Sequence, residues 1–163
     1  SIVGNLPYNI SSQIPVKIIK FNKWPPKFEN LILMFQKELG DKITGKFSTK
    51  DYGRISILTN YRFDVKKKFM VSPNSFFPKP KIKSIVLQFK PKKLKEFKIK
   101  RIESLEKITN IFFSNKLKMI KKNIKKILSA HQIKSLKDLK FNLRPSEIEP
   151  GTYYKITELF ESK

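Results

Sequence analysis

The chain of 163 residues has no cysteine and only one histidine, His131. Without cysteine it can form no disulfide, no cysteine-based zinc site and no cysteine nucleophile, and one histidine at an expected helix end does not favour serine–histidine catalysis. We interpret His131 as a surface residue. No apolar run approaches the ~18 residues of a membrane span. We therefore expect neither a metal site nor a membrane-spanning segment.

Acidic residues are also scarce, with 13 Asp and Glu against 36 Lys and Arg, which gives a formal charge of +23 and a pI of about 10.2. Only Arg54, Arg62, Arg101 and Arg144 are arginines, and this bias towards lysine is typical of an AT-rich genome. Codon bias explains part of the charge, but an excess this large indicates a polyanionic partner, nucleic acid before anionic membrane. The 39% hydrophobic residues are enough for a folded core.

The first half of the chain alternates between strand and helix patterns. Ile2-Val3 is expected to end a buried strand, and Leu31–Phe35 is a continuous apolar run that suits a parallel strand covered on both faces. Helices are expected from Ser11 or Ser12 to about Phe21, and from Gln36 to about Thr44; further strands are expected over 54–63, 65–71 and 84–89. This order predicts the second half of an open α/β sheet. Because few residues precede the first strand, we expect earlier strands and read the chain as the back part of a larger enzyme.

The composition changes near Pro91, after which the sequence predicts a small all-helical unit. Apolar residues recur at helical spacing in two sets: Ile102, Leu105, Ile108, Ile111 and Phe112, then Leu117, Ile120, Ile124, Ile127 and Leu128. A final helix is expected from about Thr152. We therefore predict an α/β domain over residues 1–92 and a helical domain over 93–163 that binds nucleic acid or substrate.

The segment Asn5-Leu6-Pro7-Tyr8 follows the first predicted strand and suits the binding of a flat base that carries an amine. The Asn5 carboxamide oxygen and a neighbouring backbone carbonyl can each accept one N–H of an exocyclic amine. Pro7 stiffens the turn, and the Tyr8 ring offers a face for stacking. A loop that contains these residue types by chance is the alternative interpretation.

Five later segments follow Asn5-Leu6-Pro7-Tyr8 in an order that chance does not explain. They are Phe35-Gln36-Lys37-Glu38, Tyr52-Gly53-Arg54-Ile55-Ser56, the Phe-x-Pro-x-Pro-Lys stretch within Ser75–Ser84, Phe112–Asn123 and Leu143-Arg144-Pro145-Ser146-Glu147. With Asn5-Leu6-Pro7-Tyr8, this series resembles the ribosomal RNA adenine dimethyltransferases from their fourth motif to the C-terminus. The Arg144-Pro145 turn and the length of the helical tail favour the small-subunit type over the antibiotic-resistance enzymes that act on large-subunit RNA.

The resemblance implies the second half of a Rossmann-like methyltransferase sheet, followed by a small all-α C-terminal domain. It implies S-adenosylmethionine as the cofactor, with Asn5 in contact with it, and dimethylation of adenine N6 in small-subunit ribosomal RNA during ribosome biogenesis. The catalytic residues would be Asn5, Leu6, Pro7 and Tyr8, and Phe76 would stack on the other face of the adenine. Gln36, Glu38 and Arg54 would be structural struts behind this site. A cytoplasmic monomer is expected.

The second predicted helix of the tail carries lysines on a different face from its apolar residues. We expect these lysines to contact RNA phosphates. They are Lys116, Lys118, Lys121, Lys122, Lys125 and Lys126. The sequence Asn115-Lys116-Leu117-Lys118 departs from the family's Arg-Arg-Lys, so charge is kept while bidentate arginine contacts are lost. The sequence also has nothing like the family's glycine-rich cofactor turn, which lies upstream of the base motif. A non-enzymatic RNA-binding or ribosome-assembly module and, less favoured, a DNA adenine methyltransferase are the alternatives.

Overall fold

A computed structural model describes residues 1–5, 13–21, 23–93, 96–115 and 117–162, with residues 13–15 described by their backbone alone. The strands are β1 (Ile2–Asn5), β2 (Leu31–Gln36), β3 (Phe63–Val71) and β4 (Ser84–Pro91). The helices are α1 (Gln13–Ile19), α2 (Lys37–Ile43), α3 (Arg54–Arg62), α4 (Ile102–Phe113), α5 (Lys121–Ile127), α6 (Ala130–Lys134) and α7 (Pro150–Glu161). The predicted α/β sheet followed by helices is confirmed.

The four strands form one sheet in the order β1-β2-β4-β3. β1 is parallel to β2, whereas β4 is antiparallel to both β2 and β3. In the register, Asn5 lies beside Met34, and Ser84 lies between Gln36 and Val71. The carboxyl ends of β1, β2 and β3 and the start of β4 therefore meet at one end of the sheet. We call it the carboxyl end.

The burial of the sheet is one-sided, which corrects two expectations. Leu31, Leu33 and Phe35 of β2 are buried, but the residues between them are only half-buried. Helix α2 packs on the buried side, where Gly40 lies directly over Ile85. The expectation of a strand covered on both faces is therefore wrong. The expectation that Ile2-Val3 is buried is also wrong, because β1 lies at the margin of the sheet and both side chains are exposed.

The segment 54–63 was predicted as a strand, but its residues 54–62 form helix α3, while the strand predicted over 65–71 lies within β3. Ile55 and Ile57 are β-branched and therefore favour a strand. In the structure, however, Ile57, Leu58 and Tyr61 form a buried face of a helix. The helix begins at Gly53, whose N–H donates to the Ser56 hydroxyl at 2.9 Å, and that hydroxyl in turn donates to the Gly53 carbonyl. This local cap favours the helix over the strand.

The helical part confirms most of the predicted apolar positions. Ile102, Leu105, Ile108 and Phe112 of α4 are buried, as are Ile120, Ile124, Ile127 and Leu128. Ile111 is only partly buried, and Leu117 is 73% exposed because α5 begins only at Lys121 and Leu117 precedes it in a turn. His131 lies exposed near the start of α6, whose cap is the Ser129 hydroxyl.

The helical part and the sheet part share a single buried core. Tyr154 of α7 packs against Tyr61 of α3, with ring centroids 5.0 Å apart, and donates a hydrogen bond of 3.0 Å to the Ile57 carbonyl. Because one continuous core includes residues of both parts, the predicted boundary between two domains at residues 92 and 93 stays a proposal.

Candidate functional site

Asn5, the residue expected to hold the substrate amine, ends β1 at the carboxyl end of the sheet. Its backbone pairs with Met34 and its side chain is exposed. A carboxamide in this position can both donate and accept hydrogen bonds. Leu6, Pro7 and Tyr8 lie outside the described residues, so the carbonyl and stacking roles assigned to them stay predictions.

Phe76 lies in the loop between β3 and β4, at the same end of the sheet as Asn5. The loop starts after Val71 and ends at Ser84, which pairs with Gln36. Phe76 is half-buried and its neighbour Phe77 is fully exposed. Neither ring belongs to the buried core of the described residues. The loop contains a 3-10 turn over Pro73–Ser75, and both rings come directly after this turn.

Arg62 anchors helix α1, which follows the predicted base motif, and the sequence interpretation missed it. One terminal nitrogen of its guanidinium donates to the carbonyls of Ile19 and Phe21, at the carboxyl end of α1, with the bond to Phe21 measuring 2.8 Å. The guanidinium also lies 4.7 Å from the Trp24 ring centroid. Burial lowers the pKa of Arg62. A buried arginine at the end of a helix satisfies carbonyls that lack partners within that helix. The rarity of arginine in a lysine-rich chain was the one signal that could have indicated it.

Arg54 forms an ion pair with Glu106 of α4, and its expected role as a strut behind the base site stays a prediction. The Glu106 carboxylate accepts from Arg54 at 3.3 Å and from Lys20 at 2.7 Å, so it connects α3 and the end of α1 to the helical part. Glu38 does not share this role, because it pairs with Lys42 on its own helix and is exposed. Glu106 therefore connects these helices, whereas Glu38 makes its ion pair within α2.

A groove of about 730 Å³ lies where α1, the start of α3, the end of α4 and the Arg144–Glu147 turn meet. Its walls include Val16, Arg54, Glu106, Phe113, Arg144 and Ser146. The turn is fixed from both sides, since the Arg144 N–H donates to the Glu147 carboxylate and the Tyr153 hydroxyl donates to the Pro145 carbonyl at 2.7 Å. Apolar walls with a few charged groups, at this volume, are typical of a ligand site.

The described lysines that we predict to contact RNA phosphates are all exposed to solvent. Lys118, Lys121, Lys122, Lys125 and Lys126 are exposed, whereas Ile120, Ile124 and Ile127 are buried on the other side. Lys116 lies outside the described residues. Lys118 precedes α5, so the basic helix is shorter than predicted. The arrangement is amphipathic and can present positive charge to a polyanion, which remains a prediction.

Within the described residues no three His, Asp or Glu side chains are grouped so that they could hold a metal ion. No described helix is both long and apolar enough to cross a membrane. For S-adenosylmethionine, the expected cofactor, the described residues offer the Asn5 carboxamide at the carboxyl end of the sheet. That group can form a hydrogen bond to the cofactor, and the contact itself stays a prediction.

A family model described as ribosomal RNA adenine dimethylase matches residues 1–162. The ribosomal RNA small subunit methyltransferase A of Pelagibacter ubique is 43% identical over 99% of this chain and 62% of that protein. The protein of the same name from Zymomonas mobilis is 33% identical over 98% of this chain and 57% of that protein. The chain thus spans about three fifths of the length of these relatives.

Two solved structures share the fold. A dimethyladenosine transferase from Plasmodium falciparum has a TM-score of 0.74 at 24% identity, over 95% of this chain and 65% of that chain. The 23S rRNA methyltransferase ErmE has a TM-score of 0.69 at 18% identity, over 98% of this chain and 64% of that chain. At these identities the likeness concerns the fold alone, and it agrees with the Rossmann-like sheet and helical tail predicted from the sequence.

Proposed function

Because the chain belongs to the ribosomal RNA adenine dimethylase family, we propose that its complete gene product methylates adenine N6 in small-subunit ribosomal RNA. S-adenosylmethionine, when bound, would supply the methyl group. The observation that carries the proposal is the shared position of Asn5 and the Phe76 loop at the carboxyl end of the sheet. This is the end at which open α/β sheets bind their ligands.

The role of Asn5 is to hold and orient the amine. The N6 lone pair of adenine is delocalised into the ring, so the amine is a weak nucleophile. The Asn5 oxygen would accept one of its N–H groups, and the Leu6 or Pro7 carbonyl would accept the other. Two acceptors placed in this way would favour a tetrahedral nitrogen with its lone pair free. Catalysis would thus depend on positioning and electrostatics, without a metal or a strong base.

Tyr8 and Phe76 would stack on the two faces of the adenine after it has been flipped out of the RNA base stack. Phe76 is half-buried and therefore partly restrained, which lowers the cost of ordering its ring on binding. Stacking on aromatic rings contributes about 1–3 kcal/mol per base. This offsets much of the cost of extruding a base, which is a few kcal/mol.

The exposed lysines around α5 would contribute affinity for RNA through phosphate contacts, with little choice of sequence. The names of the relatives from Pelagibacter ubique and Zymomonas mobilis support the small-subunit target. The fold likeness to ErmE carries no weight for the target, since the identity there is only 18%. We further propose that the protein acts as a monomer in the cytoplasm, where ribosomal subunits are assembled.

The proposal is tested by measuring transfer of labelled methyl from S-adenosylmethionine by the complete gene product. The substrates are small-subunit RNA, large-subunit RNA and duplex DNA, each lacking prior methylation. We expect transfer to small-subunit RNA and formation of N6,N6-dimethyladenosine, identified by mass spectrometry of nucleosides. Transfer only to large-subunit RNA or to DNA would overturn the target, and RNA binding with no transfer would support a non-enzymatic RNA-binding module.

A further inference from the structure

We propose that the β3–β4 loop, residues 72–83, is a platform for unpaired RNA next to the target adenosine, with Phe77 as its stacking face. Lys79, Lys81 and Lys83 would hold the phosphates of that strand. The inference rests on the proposed function, because it assumes that RNA is the substrate. It adds a second contact surface, separate from the lysines around α5, and a preference for single-stranded RNA at this point.

Phe77 carries the stacking part of the argument. It is fully exposed, so its ring contributes nothing to the core. Ordinary surfaces carry isolated apolar residues, but this ring stands in a loop that contains Pro73, Pro78 and Pro80. Proline restricts the backbone and so lowers the entropy lost when the loop binds a ligand. A rigidly presented aromatic ring in water is the device that proteins use to stack single-stranded bases.

The β3–β4 loop and the strand before it carry a strong excess of positive charge. The sequence has no acidic residue between Asp64 and Glu96, and lysine occurs at every second position from Lys79 to Lys83. All three of these lysines are exposed. Lys66 and Lys68 of β3 are exposed as well, whereas Lys67 is paired with Asp41. The loop therefore joins an exposed ring to an uncompensated positive surface, which suits a polyanion with flat faces.

The position of the loop connects this surface to the candidate site. The loop begins after Val71 and ends at Ser84, at the carboxyl end of the sheet where Asn5 lies. Phe76, expected to stack on the target adenine, is the immediate neighbour of Phe77. An RNA strand that delivers its base to Asn5 and Phe76 would therefore pass directly over Phe77. Duplex RNA fits less well, because its bases stay stacked and only unpaired bases can lie on an aromatic side chain.

The test measures the affinity of the complete gene product for a fluorescent single-stranded RNA and for the same sequence in a duplex, by anisotropy. Phe77→Leu keeps the apolar bulk but loses the flat face, and Phe77→Trp keeps the flat face. We expect the dissociation constant for the single strand to rise about fivefold or more in Phe77→Leu, and to stay within twofold in Phe77→Trp. The duplex affinity should change little in either variant.

The lysines are tested by the triple variant Lys79→Gln, Lys81→Gln, Lys83→Gln. Its matched control is Lys134→Gln, Lys137→Gln, Lys140→Gln, which removes the same charge from exposed positions of the helical part. For the single strand, loss of three phosphate contacts should reduce the slope of log affinity against log salt by about 2. The control variant should keep most of the wild-type salt dependence of binding.

Equal effects of the two triple variants, or equal affinities of Phe77→Leu and wild type, would overturn the inference while leaving the proposed function intact. Failure of the wild-type protein to bind or methylate any RNA would instead refute the proposed function. Binding of the wild type to vesicles of anionic phospholipid, lost in Phe77→Leu with unchanged RNA affinity, would assign the loop to a membrane surface and would also overturn the inference.

Discussion

The Tyr52 hydroxyl donates a hydrogen bond of 2.7 Å to the carbonyl of Ile148. Tyr52 lies just before α3 and Ile148 just before α7, so this buried bond joins the sheet part to the helical part. Burial raises the pKa of the Tyr52 hydroxyl above its ordinary value, in agreement with a hydroxyl that stays protonated and donates this bond. Tyr52 belongs to the Tyr-Gly-Arg motif, and the structure gives this motif residue a packing role.

Replacing Tyr52 by phenylalanine should lower the free energy of unfolding by about 1–2 kcal/mol, because the buried Ile148 carbonyl loses its donor. Urea denaturation of the complete gene product measures this change. Tyr154→Phe is the matched control, since its acceptor, the Ile57 carbonyl, lies inside α3 and keeps its helical hydrogen bond. A larger loss for Tyr154→Phe than for Tyr52→Phe would contradict this account.

Replacing Gly40 by alanine should destabilise the protein by about 1–2 kcal/mol, although alanine favours helices. A Cβ at this position of α2 would lie 2.3 Å from the Cγ2 atom of Ile85, a buried branched side chain with little freedom to move. Gly151→Ala in α7 is the control. Its Cβ would meet the Phe97 ring at 3.7 Å, an ordinary contact, so the thermal midpoint should stay the same or rise. A stabilised Gly40→Ala variant would show that α2 can move away from the sheet.

Replacing Asn5 by alanine should reduce the single-turnover rate of methyl transfer by at least about 100-fold, which is typical for the loss of one oriented polar group in a catalytic site. RNA affinity should stay within about twofold, because the phosphate contacts are unchanged. Rapid-quench transfer assays and anisotropy on the same protein separate the two quantities. Parallel loss of rate and affinity would assign Asn5 to RNA binding or folding.

Replacing Lys121, Lys122, Lys125 and Lys126 by glutamine should weaken RNA binding at every sequence tested. The four side chains are exposed, so the thermal midpoint should change little. If each lysine contacts one phosphate, the slope of log affinity against log salt concentration should become smaller in magnitude by about 3. An unchanged slope would mean that this face of α5 is merely solvated.

Stability in acid should depend on Asp41. Hydrogen bonds from Lys37 and then Lys67 hold the pKa of the Asp41 carboxyl below its ordinary value of 3.8. The folded state therefore binds this proton less readily than the unfolded state, so the contribution of Asp41 is full above about pH 4 and is lost as the pH falls through the lowered value. In urea midpoints measured from pH 2 to 6, Asp41→Asn should have a flatter acid limb than wild type. Glu38→Gln, which removes an exposed pair on the same helix, should flatten it less.

The family and the α/β class could be predicted from the sequence because they depend on local order along the chain. The motif at Asn5, the Tyr-Gly-Arg segment and the Phe76 loop occur in a fixed series, and the strand pattern over 84–89 holds in β4. Helix α3 was predicted wrongly as a strand. Its residues suit either structure when only neighbours are considered, and the Gly53–Ser56 cap and the packing of α7 decide between them.

The excess of positive charge, the order of the motifs and the amphipathic spacing of the helical tail can be read from the sequence alone, since each depends on residue type and local separation. The contacts between distant residues depend on the folded chain: Arg62 meets the end of α1, Glu106 meets Arg54 and Lys20, and Tyr52 meets Ile148. These partners lie about 40 to 100 residues apart in the chain. No local pattern records contacts at such separations, because they form only when the sheet and the helices pack on one core.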